Sequence, residues 1–354
     1  MFFPEKSGMK TLVVGAGAIG SLLGGFLAHG GFPVAFIEPA AFAQQLAEQG
    51  LILHNHSRTI KVSGFPVYRD PGDLPQESYQ LMILAVKAYD IIPTLNALLP
   101  YREKFEQILV PQNGLGNEER VAAFFPPERI ISAAITIPVG ILRPGEIKLA
   151  KKGGLGLSGY APNAKITAVK TAFLHSGLTT HAYANWQAMK WSKLLLNILG
   201  NASCAILSLS PGEVYSHARM VEIEQAAFNE AIAVMKAKKI PRIALPGYSL
   251  KLLENLFAWL PPELLSKVMS KPMNKSRGSK MPSLYLDLQG TKSEIGVLNG
   301  AIVQAGKETG IATPANLTLT QILEQIMKGD LNRNEFKGQP EKLWLEYLKR
   351  KGIS

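Results

Sequence analysis

In the first half of the chain, short runs of consecutive apolar residues alternate with longer stretches whose apolar positions recur every three to four residues. The short runs fall at 11–14, 34–37, 81–86, 107–111 and 129–137. Apolar runs bounded by turn residues suit strands buried on both faces. Strands alternating with helical stretches imply right-handed crossovers and a parallel sheet with helices on both sides. The pattern therefore predicts an N-terminal doubly wound α/β domain. Between 140 and 183 glycines and polar residues interrupt it; 146–149 and 154–157 read as antiparallel edge strands, and a helix is expected at 163–175. From about residue 186 period 3.6 dominates, with helices expected at 186–205, 221–239, 250–260, 294–309 and 315–328. The expected division is an α/β domain over 1–185, an all-helical domain over 186–330 and a charged tail over 331–354, with one amphipathic piece at 342–349. Pro261-Pro262 and the Lys/Ser/Met-rich run 270–280 read as a mobile connection. No internal repeat is found.

Composition fits this division. At 354 residues, 47% hydrophobic and 18% charged, the chain has material for two cores and too little charge for a disordered polymer. The single cysteine, Cys204, excludes an intrachain disulfide framework and points to a reducing, cytoplasmic setting. Residues 11–31 carry no formal charge and superficially resemble a membrane span. Seven of the 21 are glycine, and they divide into strand, turn and helix, so neither a membrane segment nor a targeting segment is read there. The first eight residues, before Met9, read as an extension without chemistry. Only His54 and His56 lie close among the six histidines, with no carboxylate nearby in the sequence, so no metal site is expected. The net charge of +11 and pI near 9.5 allow an anionic partner. The basic residues are spread without a nucleic-acid module, so a phosphate-bearing cofactor or a carboxylate substrate is favoured over nucleic acid.

Gly15-Ala16-Gly17-Ala18-Ile19-Gly20 follows the first strand and opens a helix at Ser21. This is G-x-G-x-x-G in the context its mechanism needs: a tight turn, backbone amides close to a pyrophosphate, and close packing of helix on strand. It makes the N-terminal domain Rossmann-type. Glu38 ends the second strand, 18 residues beyond Gly20. An acidic side chain there accepts hydrogen bonds from ribose hydroxyls and repels a 2′-phosphate, which favours NAD over NADP; a surface glutamate at a strand end is the plain alternative.

In the apolar helix 191–201, Lys193, Asn197 and Asn201 recur every four residues and so form one stripe. Two readings stand: an exposed polar face, or a buried row whose partners come from an anionic or carbonyl-bearing ligand, with the lysine as proton donor. A second constellation runs from Ser283 through Asp287 to Ser293-Glu294 and Asn299-Gly300, where helix capping is the plain reading of Ser293 and Glu294. Asn113-Gly114 follows the strand at 107–111, at the carboxyl edge where open α/β sheets bind ligands, or forms an ordinary turn.

Over residues 9–328 these pieces, with Val86-Lys87-Ala88, Gln112-Asn113-Gly114 and Gly310-Ile311-Ala312-Thr313-Pro314-Ala315-Asn316, resemble the ketopantoate reductase (2-dehydropantoate 2-reductase) family in order and spacing. The resemblance implies hydride transfer from NADPH or NADH to the C2 carbonyl of 2-dehydropantoate, giving pantoate for pantothenate and coenzyme A synthesis. It makes Lys193 the general acid and Glu294 the carboxylate that positions substrate or lysine. It makes Asn113, Asn197, Asn201 and Ser283 the polar positions holding the keto acid, and it places Gly15, Ala16, Gly17, Ala18, Ile19, Gly20, Glu38, Lys87 and Asn113 at the cofactor. By analogy a homodimer is expected. The chain departs from the family pattern at Glu38-Pro39, where a basic residue associated with NADPH is usual, at the shorter turn Thr291-Lys292, and at Gly296 in place of a common aspartate. The region 236–280 is enlarged and the tail is long. The alternatives are a paralogous NAD-dependent reductase of another 2-keto acid and a non-catalytic dinucleotide-binding redox sensor.

Overall fold

The computed structural model of the chain describes residues 8–55, 58–277 and 281–352. They form two compact units, one from residues up to 112 with 117–189 and 245–248, the other from 113–116, 190–244 and 249 onward. All of the expected N-terminal extension but Gly8, together with His56 and residues 278–280, lies outside the described residues.

The first unit is built on β1 (Thr11–Val14), β2 (Val34–Ile37), β3 (Leu51–His54), β4 (Thr59–Val62), β5 (Val67–Tyr68), β6 (Leu81–Leu84), β7 (Ile108–Val110), β8 (Ile130–Ile135), β9 (Val139–Arg143), β10 (Glu146–Leu149), β11 (Leu155–Gly159) and β12 (Thr180–Ala182). Eight of these form one sheet in the order β12-β11-β8-β7-β6-β1-β2-β5. β1 lies inside it, parallel to β2 on one side and β6 on the other. Because side chains alternate along a strand, Val13 enters the core on one face while Leu12 and Val14 enter the core on the other. The helices of this unit are α1 (Ala18–His29), α2 (Ala40–Gln49), α3 (Ile91–Leu98), α4 (Asn117–Ala122) and α5 (Thr167–His175).

Two expected edge strands take different places. β11 is antiparallel to β8, as its polar pattern suggests, yet it is interior, with β12 beyond it. β10 leaves this sheet for a second one, ordered β4-β3-β10-β9, where it runs parallel to β3 and antiparallel to β9. The uncharged run 11–31 is explained here, since residues Gly20–Leu27 of α1 are all buried. A Cβ on Gly24 would lie 2.5 Å from Phe36 on β2, and one on Gly25 would lie 2.7 Å from Leu53 on β3. Helix α1 is thus clasped between two sheets, and its glycines let both approach. No helix among the described residues is long and apolar enough to cross a membrane.

Helix α6 (Trp186–Ile198) carries the chain into the second unit. That unit contains α7 (Ala202–Leu207), α8 (Pro211–Ser216), α9 (Ala218–Ala237), α10 (Leu250–Trp259), α11 (Pro262–Arg277), α12 (Ser283–Asp287), α13 (Asn299–Thr309), α14 (Pro314–Lys328) and α15 (Pro340–Lys351). The single helix expected over 186–205 is two, because Gly200 adopts a left-handed conformation (φ +55°) between α6 and α7. The helix expected from 294 begins at Asn299, after a 3-10 turn at Ile295–Val297. The expected mobile run is helical through Arg277. The charged segment beyond 330 carries α15, with Leu343 and Tyr347 buried and Trp344 Nε1 donating to Glu222 of α9 at 2.8 Å.

Candidate active site

In the first unit, β1 ends in the glycine turn. Gly15 has φ +93°, and a Cβ there would lie 3.2 Å from the Ala85 carbonyl oxygen. At Gly20 a Cβ would fall 1.8 Å from the Gly15 carbonyl oxygen, so helix and turn could not close. Gly17 differs, since a Cβ there would meet nothing within 4 Å. Open space stands over the start of α1, whose N-cap, Gly17, offers no side chain to its amides. Amides at a helix N-terminus with space before them suit a phosphate, so the turn fits a dinucleotide.

Glu38, after β2, turns back to this turn and accepts a hydrogen bond from the Ala16 amide. Burial pushes its pKa up, against the lowering effect of that bond. The carboxylate thus stands against the glycine turn, where a ribose bound on the turn would present its hydroxyls. Lys87 follows β6, half-buried, at the start of a short 3-10 turn. Its loop is tied down by Gln112, whose Nε2 donates to the carbonyls of Leu84 (2.5 Å) and Val86 (3.0 Å), and by Arg120, which donates to the Ala88 carbonyl at 3.0 Å. Gln112 lies inside a family motif, but its fastening role shows only once β6 and β7 are neighbours.

In the second unit the polar stripe of α6 is a connected row. Asn197 Nδ2 donates to Asn113 Oδ1 at 3.1 Å. Asn201 Nδ2 donates to the Asn197 carbonyl (3.1 Å) and to Ser283 Oγ (3.4 Å), while its Oδ1 accepts from the Leu284 amide (3.2 Å). Asn201 is buried, and Lys193, Asn197, Asn113 and Ser283 are half-buried. Lys193 precedes Asn197 by one turn on the same face. The stripe is therefore not an exposed face but a half-buried to buried row, and the partners of its asparagines are Asn113, Ser283 and main-chain groups of the protein itself.

Glu294 is buried, with 6% of its surface exposed. Its amide donates to Asp287 Oδ2 at 2.9 Å, which ties it to α12, the helix that Ser283 begins. Of the two expected caps, Ser293 fulfils that role toward Ile295 N (3.2 Å), whereas Glu294 makes no side-chain cap bond. Just beyond, the Val297 carbonyl accepts from the Leu115 amide at 2.9 Å. A Cβ on Gly114, where φ is +84°, would sit 2.2 Å from that carbonyl oxygen. The loop bearing Asn113 is therefore strapped to the segment bearing Glu294. Asn316 serves packing: it accepts from Asn299 Nδ2 (2.9 Å) and donates to the Ala227 carbonyl (2.9 Å), joining α13, α14 and α9.

Models of the ketopantoate reductase family (PanE/ApbA) match residues 11–161, and the corresponding C-terminal model matches 185–327. The chain belongs to the ketopantoate reductase family. Among curated relatives, a 2-dehydropantoate 2-reductase of Pyrococcus horikoshii is 28% identical over 319 residues, covering 89% of this chain and 97% of the relative. Among solved structures, a 2-dehydropantoate 2-reductase of Geobacter metallireducens superposes with a TM-score of 0.75 at 24% identity, covering 89% of this chain and 99% of the other. A D-mandelate dehydrogenase solved with NADH superposes with a TM-score of 0.71 at 25% identity, covering 91% and 99%. This ketopantoate reductase family member therefore shares α/β and helical parts with dehydrogenases of more than one name.

Proposed function

We propose that this chain reduces 2-dehydropantoate to pantoate by hydride transfer from NADH or NADPH, in the synthesis of pantothenate and coenzyme A. The observation that carries the reading is the hydrogen-bonded row Asn113, Asn197, Asn201 and Ser283, one helical turn from Lys193, in a chain matched along both parts by the family models. Residues 1–185 are assigned to the dinucleotide and 186–330 to the substrate, with the charged segment 331–354 completing the helical part.

A reduced nicotinamide, when bound, supplies the hydride that reaches the C2 carbonyl carbon. The turn Gly15, Ala16, Gly17, Ala18, Ile19 and Gly20 would hold the pyrophosphate on backbone amides and Glu38 would take the ribose hydroxyls, with Lys87 and Asn113 the further residues assigned to the cofactor. Lys193 holds the proton that passes from Nζ to the carbonyl oxygen as negative charge develops there. Glu294, fixed through its backbone by Asp287, orients the ammonium or the substrate hydroxyl. Asn197, Asn201 and Ser283 hold the keto acid in register.

A second reading, a reductase of another bulky 2-keto acid that uses NADH, is favoured by Glu38 at the ribose position and by the short turn Thr291-Lys292 beside Glu294. The NADH-bound D-mandelate dehydrogenase supports it. Oxidation of NADH and NADPH by purified protein, with 2-dehydropantoate beside a panel of 2-keto acids, separates the two. Lys193→Ala is expected to lower kcat by about 10²–10⁴-fold while the protein stays folded and still binds the dinucleotide. Retention of full turnover in that variant would remove Lys193 from the mechanism; dinucleotide binding by the wild-type chain without oxidation by any 2-keto acid would favour a redox sensor. The single buried cysteine supports a reducing, cytoplasmic setting; a homodimer, checked by light scattering, completes the reading.

A further inference from the structure

Glu224 of α9 is 2% exposed and belongs to none of the roles assigned above. Its Oε2 accepts from the Gly200 amide at 2.6 Å and from the Tyr215 hydroxyl at 3.1 Å, and its Oε1 accepts from Ser203 Oγ at 2.5 Å. These donors are the turn between α6 and α7, the first turn of α7, and the end of α8. Asn201 lies between Gly200 and Ser203 in the sequence, and its amide group ties the end of α6 to the start of α12.

We propose that Glu224 is a positioning residue for the reduction: it pins the left-handed break at Gly200 and thereby aims Asn201 at Ser283 and the keto acid. Gly200 would otherwise allow α6 to end in many ways, since a glycine is the residue least restrained by its own sterics. A buried carboxylate satisfies the amide and both hydroxyls at once through charge-assisted bonds. The geometry also says how Glu224 acts. Glutamine in the same place keeps an acceptor for Gly200 N and Tyr215, and Ser203, whose hydroxyl rotates, turns to accept from the new amide. Shape and hydrogen bonds, rather than charge, carry the effect.

The inference rests on the proposed reductase, so its test has one readout with activity and one without. Glu224→Ala is expected to raise KM for the keto acid by about tenfold or more, with a smaller change in kcat and NADH affinity unchanged; Glu224→Gln is expected to restore KM to within about threefold. In the Asn201→Ala background, Glu224→Ala should add no further rise, because both changes act through one side chain. Hydrogen exchange should quicken at the amides of 199–204 in Glu224→Ala but not in Glu224→Gln. Should Glu224→Ala fail to fold, Ser203→Ala and Tyr215→Phe each remove one bond and are expected to raise KM in the same direction. Effects of Glu224 and Asn201 that simply add, or unchanged exchange at 199–204, would overturn the proposal. Absence of turnover with any 2-keto acid in the wild-type chain would overturn the reductase instead, while exchange would still decide the role of Glu224.

Discussion

Glu38 accepts from the Ala16 amide and so stands at the glycine turn, beside the place where the ribose of a dinucleotide bound as proposed would lie. A 2′-phosphate there would meet a partly buried negative charge, whereas ribose hydroxyls would donate to it. The wild-type chain is therefore expected to prefer NADH. Glu38→Arg should raise the NADPH to NADH ratio of kcat/KM by about tenfold or more, since each factor of ten is about 1.4 kcal/mol. Initial rates with the two cofactors measure it, and an unchanged ratio would remove Glu38 from selectivity. Glu230 shows the other effect of burial on a carboxylate. It caps α14, accepting from the amides of Ala315 (2.8 Å) and Asn316 (3.0 Å), yet burial outweighs these bonds and raises its pKa. The folded chain thus holds this proton more tightly than the unfolded chain. The associated stability is fully present below the unfolded carboxylate range and is lost as pH rises through the folded value. Glu230→Gln lacks this titration, so the difference in Tm, wild type minus variant, should be greatest near pH 4 and shrink toward neutrality. A difference that grows with pH would reverse the sign assigned here.

Among the connections between elements, the loop 113–116 is the most exacting, because its tie to Val297 is backbone on backbone. Gly114→Ala faces both a left-handed φ, worth about 1–2 kcal/mol, and a Cβ 2.2 Å from a carbonyl oxygen. The loop must shift, and the expected result is a lower Tm and a raised KM for the keto acid as Asn113 leaves Asn197. A variant with wild-type Tm and KM would show that the strap does not hold Asn113. This tie was not legible in the sequence: two peptide groups about 180 residues apart carry no side-chain signature, although Asn113 itself could be placed at a strand's carboxyl edge. The glycine turn was legible because all its requirements are local, and so was the stripe of Lys193, Asn197 and Asn201, because one helical turn repeats it. The second sheet was not. β3, β4, β9 and β10 are each four or five residues long, with exposed or half-buried positions such as Lys61, Ile141 and Leu142; their pattern is weak until α1 presents a glycine face for them to cover. The break at Gly200 was hidden likewise, since apolar periodicity runs on through it and the partner that fixes it, Glu224, stands on another helix.

For the molecule as a whole, the formal charge of +11 has meaning only together with the chemistry proposed for it. Both the keto acid and the dinucleotide are anions, and a basic protein raises their local concentration and their rate of encounter. Many cations here are already engaged at the surface, as in Lys238 with Glu308 at 2.9 Å and Arg242 with Glu254 at 2.9 Å, and such exposed pairs contribute little stability. The excess positive charge acts at long range instead, through solvent, and so is screened. Between about 0.01 M and 1 M salt the Debye length falls from about 30 Å to about 3 Å. If the field of the chain steers its substrates, kcat/KM for the keto acid should fall steadily across that range, while kcat, measured with both substrates saturating, stays nearly level. A neutral osmolyte in place of salt should leave both unchanged. A flat kcat/KM would mean that recognition rests on the short-range row of Asn113, Asn197, Asn201 and Ser283 with Lys193, and that the charge of the remaining surface answers to solubility rather than to catalysis.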